Sequence, residues 1–250
     1  MKNSFILVLI LMSFMVTSFS AQARCEDEAK PGVNWTGCDK SNLDLSGVDL
    51  QSAVLRRVNF SNSNLSKARL QNADLTFAVL TKTNFTRARM ERARVNNALI
   101  SQADFSSAVL DEARFSRANI KQTRFTASRL NKTDFYEVKV EQGMFEKAQL
   151  EKANFSRAKL MDANFSGITG EAAVFNQANL EGANFSNAIL KGAKFVDASL
   201  LHVNFKKADL SAASIQGAEI DDAIFDEARL SSTVWVKYQR CRNGSVGICK

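Results

Sequence analysis

The chain has 250 residues, of which 45% are hydrophobic and 24% are charged, and its formal net charge is +7. This is the composition of a folded protein. A single proline, Pro31, excludes a series of globular units joined by punctuated loops and favours one uninterrupted array. A single histidine, His202, leaves little material for metal binding or acid–base chemistry.

The first 23 residues have the pattern of a cleaved signal peptide. Lys2 supplies a positive charge, residues 5–16 form an apolar run, and residues 21–23 match the small-x-small cleavage pattern. The alternative is an uncleaved anchor, but the run is shorter than the roughly 20 residues that span a bilayer. We therefore expect cleavage before Arg24, a mature chain without a transmembrane helix, and a periplasmic or secreted product. Because cleavage removes Lys2 and no acidic residue, the net charge falls from +7 to +6.

A five-residue period runs through the mature chain. Of the 38 residues at positions divisible by five from Leu45 to Leu230, 37 are Leu, Phe, Ile, Val or Met, and the exception is Gly170. We call these positions i. At i−2, 26 of the 38 residues are Ala. The missing side chain at Gly170 predicts a local packing defect that the neighbouring Ile168 fills in part.

This period fits neither regular secondary-structure element. On a helix, steps of five residues rotate by about 140° and scatter the apolar side chains around the axis. On a flat strand, an odd period reverses the face at each repeat. Since i−2 and i share one side of an extended segment, both stay inside only if the chain turns a corner in every repeat. Such a chain forms a coil. Phe recurs every twenty residues from Phe85 to Phe225, and this spacing predicts a stacked column. Between Phe105 and Phe205, Phe also occupies every tenth residue.

The register also separates inward from outward positions. Outward polar residues precede each position i, and Asn154 and Asn184 are examples. We expect Asp to be tolerated at both of these positions, whereas Asp in place of the inward Phe145 or Phe165 would bring an unpaired charge into the core.

Segments 153–157 (Ala-Asn-Phe-Ser-Arg) and 183–187 (Ala-Asn-Phe-Ser-Asn) resemble the A(D/N)LXX signature of the pentapeptide-repeat family. The resemblance covers roughly residues 33–235. It implies an all-β fold, namely a right-handed quadrilateral β-helix of about ten coils that forms a rod roughly 50 Å long. We therefore divide the chain into a signal peptide (1–23), an N-terminal leader and cap (24–40), the β-helix (41–235) and a C-terminal disulfide-closed tail (236–250).

Four cysteines lie in two pairs at the ends of the mature chain. Export permits disulfides, and pairing Cys25 with Cys38 and Cys241 with Cys249 is the simplest of three connectivities. Free buried thiols are the alternative. The segments around both pairs resemble the lead-in and the tail of exported family members, which favours two disulfides that cap the ends of the solenoid.

The sequence offers no constellation for catalysis. His202 lies at an outward i+2 position without a second metal ligand or a nucleophile to activate. Carboxylate pairs such as Asp111-Glu112 and Asp221-Asp222 lie on a convex rod, without a cleft to shift their pKa values. We expect no enzyme activity, no catalytic or metal-binding residues, no cofactor and no small-molecule substrate.

Charge at outward positions is not dictated by the repeat. Residues 51–94 contain nine cations against two acids, and residues 219–227 contain five acids and no cation. A solvated surface without a partner is the alternative interpretation of this pattern. We predict contacts with an anionic partner through eight cations: Arg56, Arg57, Lys67, Arg69, Arg87, Arg89, Arg92 and Arg94. Phe77, Val79 and Leu99 form a candidate apolar patch on adjacent coils.

These features predict an exported structural or binding scaffold that presents a rod-like surface to a protein or an anionic envelope polymer. The alternative, by resemblance, is the DNA-mimicking gyrase inhibitor of the same family. That protein is strongly acidic and dimerises through C-terminal helices, whereas this chain is basic, carries an export signal and ends in a cysteine loop. Export also argues against a nucleic-acid partner. The identity of the partner and the oligomeric state stay open.

Overall fold

The computed structural model of the protein describes residues 24–250, so the predicted signal peptide lies outside the described residues. Three short strands form a parallel sheet in the order β1-β2-β3: β1 (Leu99–Ser101), β2 (Asn119–Lys121) and β3 (Lys139–Glu141). Between residues 24 and 250 no helix is long and apolar enough to cross a membrane. Each strand pairs with the one twenty residues further along the chain, as Leu99 does with Asn119.

The same twenty-residue spacing joins the whole array. Isolated parallel bridges run from Asn34↔Val54 to Ser214↔Val234. Twenty residues are four repeats, so each coil has four sides. We number the sides by the outward i−1 residues that stack on them: Asn34, Val54, Asp74 and Arg94 begin the first side; Asp39, Asn59, Val79 and Leu99 the second; Asp44, Asn64, Asn84 and Asp104 the third; Asp49, Arg69, Arg89 and Val109 the fourth.

The core consists of the residues at i and i−2, as the register predicts. Nearly all of them are buried from Ala53 to Ala218. The predicted Phe column stacks along the third side from Phe85 to Phe225, with successive ring centroids 4.7–5.3 Å apart. A second column runs along the opposite, first side from Phe115 to Phe195, at 4.6–5.1 Å. Rings of the two columns meet edge to face at 5.5–6.0 Å, an arrangement that aromatic quadrupoles favour.

The space beside Gly170 is occupied by neighbouring side chains. A Cβ at Gly170 would lie 3.2 Å from Leu190 Cδ2 and 3.5 Å from Ile168 Cδ1. Ile168 is fully buried. Ile168 and, from the next coil, Leu190 thus lie against Gly170, where the sequence predicts a packing defect that Ile168 fills in part.

The corners of the coil place the i+2 residues in the left-handed region. Arg57, Lys67 and Phe77 have φ values of 55°, 59° and 62°. This conformation costs most for bulky L-residues, and it turns their side chains away from the core. The corners therefore present side chains to solvent in rows, one coil above another.

Both predicted disulfides are present in the structure. Cys25 bonds to Cys38, with Cα atoms 5.4 Å apart, and Cys241 bonds to Cys249, with Cα atoms 4.9 Å apart. At the N-terminal end, Trp35 Nε1 donates a hydrogen bond to the Asp27 carbonyl at 3.1 Å. These contacts hold the leader across the first coil.

The C-terminal tail turns back onto the last coil. It forms two antiparallel bridges, Arg229↔Val246 and Val234↔Arg240, in place of the parallel bridges found elsewhere. The Leu230 amide donates to the Ser245 carbonyl at 2.9 Å. Because an exposed β-edge is a site for unwanted pairing, this tail protects the edge on the first and fourth sides.

Candidate interaction surface

The eight predicted contact cations occupy one half of the rod. Arg69 and Arg89 stack on the fourth side, and Arg94 lies on the first side. The remaining five occupy the corners that flank these two sides: Lys67, Arg87, Arg92, Arg56 and Arg57. The second and third sides carry none of the eight. We call this half of the rod the basic face. The eight cations therefore cover about half of the circumference of the coil and do not encircle it.

Ion pairs neutralise half of these cations, three of them between stacked coils and one, Arg89 with Glu91, within a coil. Arg69 lies 3.2 Å from Asp49, Arg89 lies 2.9 Å from Glu91, Arg92 lies 3.0 Å from Glu112 and Arg94 lies 3.9 Å from Asp74. The hydrogen bond and charge of Arg92 hold the pKa of the Glu112 carboxyl below its ordinary value. These pairs are solvent-exposed, and each contributes little to stability.

The other four cations have no acidic partner among residues 24–250. Arg56, Lys67 and Arg87 lie within 4.0 Å of no described carboxylate, and Arg57 instead sits over the Phe77 ring at 5.7 Å. Lys67 and Arg87 stack one coil apart at the corner between the third and fourth sides. The two positive charges reinforce each other, and no nearby carboxylate neutralises them. Their combined positive potential is therefore available to an anion.

The predicted apolar patch lies beside this face. Val79 and Leu99 are bridge partners on the second side, and Leu99 is 52% exposed. Phe77 is 46% exposed at the preceding corner, where Arg57 covers one face of its ring. The structure therefore brings the three predicted residues together, next to Arg57.

A shallow depression that sequence reasoning missed lies at the corner after the second side. It has a volume of about 570 Å³, and its lining includes Lys121, Lys139, Glu141 and Met161. A ladder of glutamine amides runs beside it, with Gln122 bonded to Gln102 and to Gln142 at 3.1 Å each. Only the stacking of coils creates this feature, because its side chains come from three successive coils.

His202 lies at an exposed corner, as predicted. Its Nδ1 is 3.7 Å from Asp222 Oδ2 in the next coil. Within the described range, no group of three or more His, Cys, Asp or Glu residues is arranged to hold a metal ion.

The fold and the surface together define the class of protein to which the chain belongs. A β-solenoid with uniform inward residues and variable outward charge is a repeat scaffold, whose sides provide extended surfaces for binding. Two family models match successive parts of the array. The pentapeptide repeat region matches residues 98–175, and pentapeptide repeats (8 copies) match residues 32–62, 63–102, 171–206 and 193–231. The chain belongs to the pentapeptide-repeat family.

Solved structures of pentapeptide-repeat proteins are similar to the chain. A structure of QnrB1, a plasmid-mediated fluoroquinolone resistance protein, is 15% identical, with a TM-score of 0.52 over 67% of this chain and 91% of that chain. HetL from the cyanobacterium Nostoc sp. strain PCC 7120, involved in heterocyst differentiation regulation, is 24% identical, with a TM-score of 0.45 over 85% and 93% of the two chains. The similarity to QnrB1 supports the fold alone. No curated protein sequence matches the chain.

Proposed function

We propose that this protein is an exported binding scaffold without catalytic activity, a right-handed rod of about ten coils that acts in the periplasm or outside the cell. Its basic face contacts an anionic polymer of the cell envelope. The observation that supports this proposal most directly is the presence of four cations, Arg56, Arg57, Lys67 and Arg87, without an acidic partner in the described chain.

The arrangement of these cations suits a repeating anion better than a small one. They lie at two corners that flank the first and fourth sides, so no single pocket collects them. Stacked coils are about 4.8 Å apart, which places successive cations at intervals along the rod. A flexible polyanion can follow such a surface, and its binding releases condensed counterions. Binding of this kind is salt-sensitive and has little fine specificity.

A DNA-mimicking, gyrase-binding protein is less consistent with these features. Mimicry of DNA requires a surface of dense negative charge, whereas the basic face is positive and the whole chain carries +7. The fold similarity to QnrB1 does not distinguish the two functions, since outward residues differ while the solenoid stays the same.

Retention of the mature protein on heparin–agarose tests the proposal. The first variant replaces the four unpaired cations: Arg56→Gln, Arg57→Gln, Lys67→Gln and Arg87→Gln. The matched control replaces four ion-paired arginines: Arg69→Gln, Arg89→Gln, Arg92→Gln and Arg94→Gln. Both variants lose four positive charges, so they differ in the position of the lost charge and not in its amount.

We expect the first variant to lose at least tenfold in affinity at about 50 mM salt, and the control to lose clearly less, because its arginines already face carboxylates. The wild-type affinity should fall by about tenfold or more between roughly 50 and 200 mM salt. Equal losses in the two variants would show that net charge alone governs retention. Retention that persists in high salt would instead favour the apolar patch of Phe77, Val79 and Leu99.

A further inference from the structure

The last coil leaves half of its β-edge open. The tail pairs with the first and fourth sides, through Val234↔Arg240 and Arg229↔Val246. On the second and third sides, the final bridges are Ser199↔Glu219 and Asn204↔Ile224. No described residue forms a bridge beyond Glu219 or Ile224 on these two sides. We call residues 218–227 the open edge.

Backbone groups along the open edge lack the partners that inner coils provide. In an inner coil, the amide at position i donates to a carbonyl nineteen residues later, as Leu200 does to Glu219 at 2.8 Å and Phe205 does to Ile224 at 2.7 Å. The amides of Ile220, Asp222 and Phe225 have no corresponding acceptor between residues 24 and 250. These donors therefore point along the rod axis, ready to bind an added strand.

The side chains around these donors are acidic and apolar. Glu219, Asp221 and Asp226 are exposed, and no described cation lies within 4.0 Å of any of them. Ile224 is 43% exposed on the outer surface of the third side, and the inward Ile220 and Ala223 are only partly buried at the end of the core. A strand that covers this edge would thus meet negative charge on the outside and apolar surface at the end of the core.

A second copy of the chain does not suit this edge. Continuing the twenty-residue register would place Asp39 of the second copy against Glu219, and like charges at this spacing repel. The tail also occupies the layer above Arg229 and Val234 that a second solenoid would need. The tail therefore blocks end-to-end stacking of whole coils, but its backbone hydrogen bonds only flank the open edge, from the Gly217 amide to the Val236 carbonyl at 3.1 Å and from the Gly247 amide to the Ala228 carbonyl at 2.9 Å.

We infer that the open edge binds an extended basic segment of another protein by adding it as a parallel strand on the second and third sides. The amides of Ile220, Asp222 and Phe225 donate to carbonyls of the segment. The carbonyls of Ala218 and Ala223 accept from its amides, as the i−2 carbonyls of inner coils do. Lysine or arginine side chains face the acids, and small or apolar side chains cover the end of the core.

The probe is an eight-residue peptide in the register of the repeat, acetyl-Ala-Lys-Leu-Lys-Gly-Ala-Lys-Leu-amide. Its glycine occupies the left-handed corner between the two sides. Binding to the mature protein is measured by calorimetry. We expect saturable binding, at least tenfold tighter than that of the same peptide with Glu in place of Lys. N-methylation of the first and last lysine amides removes the bonds to Ala218 and Ala223 and should abolish binding.

Two protein variants distinguish binding at the open edge from nonspecific attraction between the basic peptide and acidic residues elsewhere on the rod. The first variant should weaken binding at least tenfold, and it combines Glu219→Lys, Asp221→Lys and Asp226→Lys. The control variant should bind as the unmodified protein does, and it combines Glu151→Lys, Glu171→Lys and Glu181→Lys. In amide exchange, the peptide should slow exchange at Ile220, Asp222 and Phe225 and leave Leu230, which is already bonded to Ser245, unchanged. Undiminished binding of the N-methylated peptide, or no saturable binding of the lysine peptide, would overturn the inference.

Discussion

At the scale of single residues, an Asn or Asp at i−1 has a physical role in the corner that follows it. Its side-chain oxygen accepts a hydrogen bond from the amide two residues later, as in Asn184 to Ser186 at 3.0 Å and Asp44 to Ser46 at 3.0 Å. The Ser46 amide holds the pKa of the Asp44 carboxyl below its ordinary value. Asn and Asp thus favour the turn at each corner locally, which explains the second position of the family signature.

Neighbouring coils distinguish Asn154 from Asn184, although the sequence register treats them alike. Asn154 Nδ2 donates to Asp134 Oδ1 at 2.9 Å, whereas the Asn184 amide group makes no such bond to a carboxylate. We expect Asn184→Asp to change the free energy of unfolding by less than about 0.5 kcal/mol. Asn154→Asp should cost about 1 kcal/mol or more, because it removes the donor and brings two carboxylates together. Urea denaturation at pH 7 measures both, and equal costs would contradict the role of Asp134.

At the scale of the repeat, each side of the coil is one short extended segment followed by a corner. The segment needs only an apolar residue at i and a small one at i−2, because these two side chains alone face the axis. Inward hydroxyls are accommodated by bonding to the backbone of the preceding coil, as Thr83 Oγ1 does to the Phe60 carbonyl at 2.8 Å. The polar atom is thereby satisfied within the core.

The stacked Phe columns predict a large difference between inward and outward positions. Phe145 is fully buried between Phe125 and Phe165, with ring centroids 4.9 and 4.7 Å away. Phe145→Asp should lower the free energy of unfolding by about 4 kcal/mol or more, since it places an unpaired charge in the column. Phe77→Asp is the matched control at an exposed corner, and it should cost less than about 1 kcal/mol. Thermal denaturation compares the two, and similar losses would refute the register.

At the scale of the whole molecule, the ends of the array differ from its middle. Inner coils pair with two neighbours, so the end coils need other partners, and short disulfide-closed segments supply them on part of each end. The array is also polarised, with an excess of cations over acids in residues 51–94 and a group of acids without cations in residues 219–227.

Intact-mass analysis of the purified protein tests the proposed processing and the cysteines together. We expect a mature chain that begins at or near Arg24, with no thiol alkylated in the native, non-reduced protein and four alkylated after reduction. Each loop closure contributes about 2–3 kcal/mol in the chain-entropy model, so reduction should also lower the melting temperature. A full-length mass that retains residues 1–23 would contradict export by cleavage, and four alkylated thiols before reduction would contradict the disulfides.

The amino-acid sequence by itself determined the register of the core. Burial at i and i−2 follows from the local geometry of a five-residue segment, so the period reveals the inward residues, Ile168 among them, and the Phe column without a structure. The sequence also predicts the pairing of the cysteines, because each end of the chain has two cysteines close together and pairing within each end is the simplest connectivity.

Only the tertiary structure decided which outward residues are neighbours. A five-residue period does not state how many repeats complete a turn, and the twenty-residue offset between coils sets every contact on the surface. That offset pairs Arg92 with Glu112, leaves Lys67 and Arg87 stacked without an acid, and bonds Asn154 to Asp134. The path of the tail likewise depends on long-range pairing, since it covers two sides of the last coil and leaves the edge at residues 218–227 open.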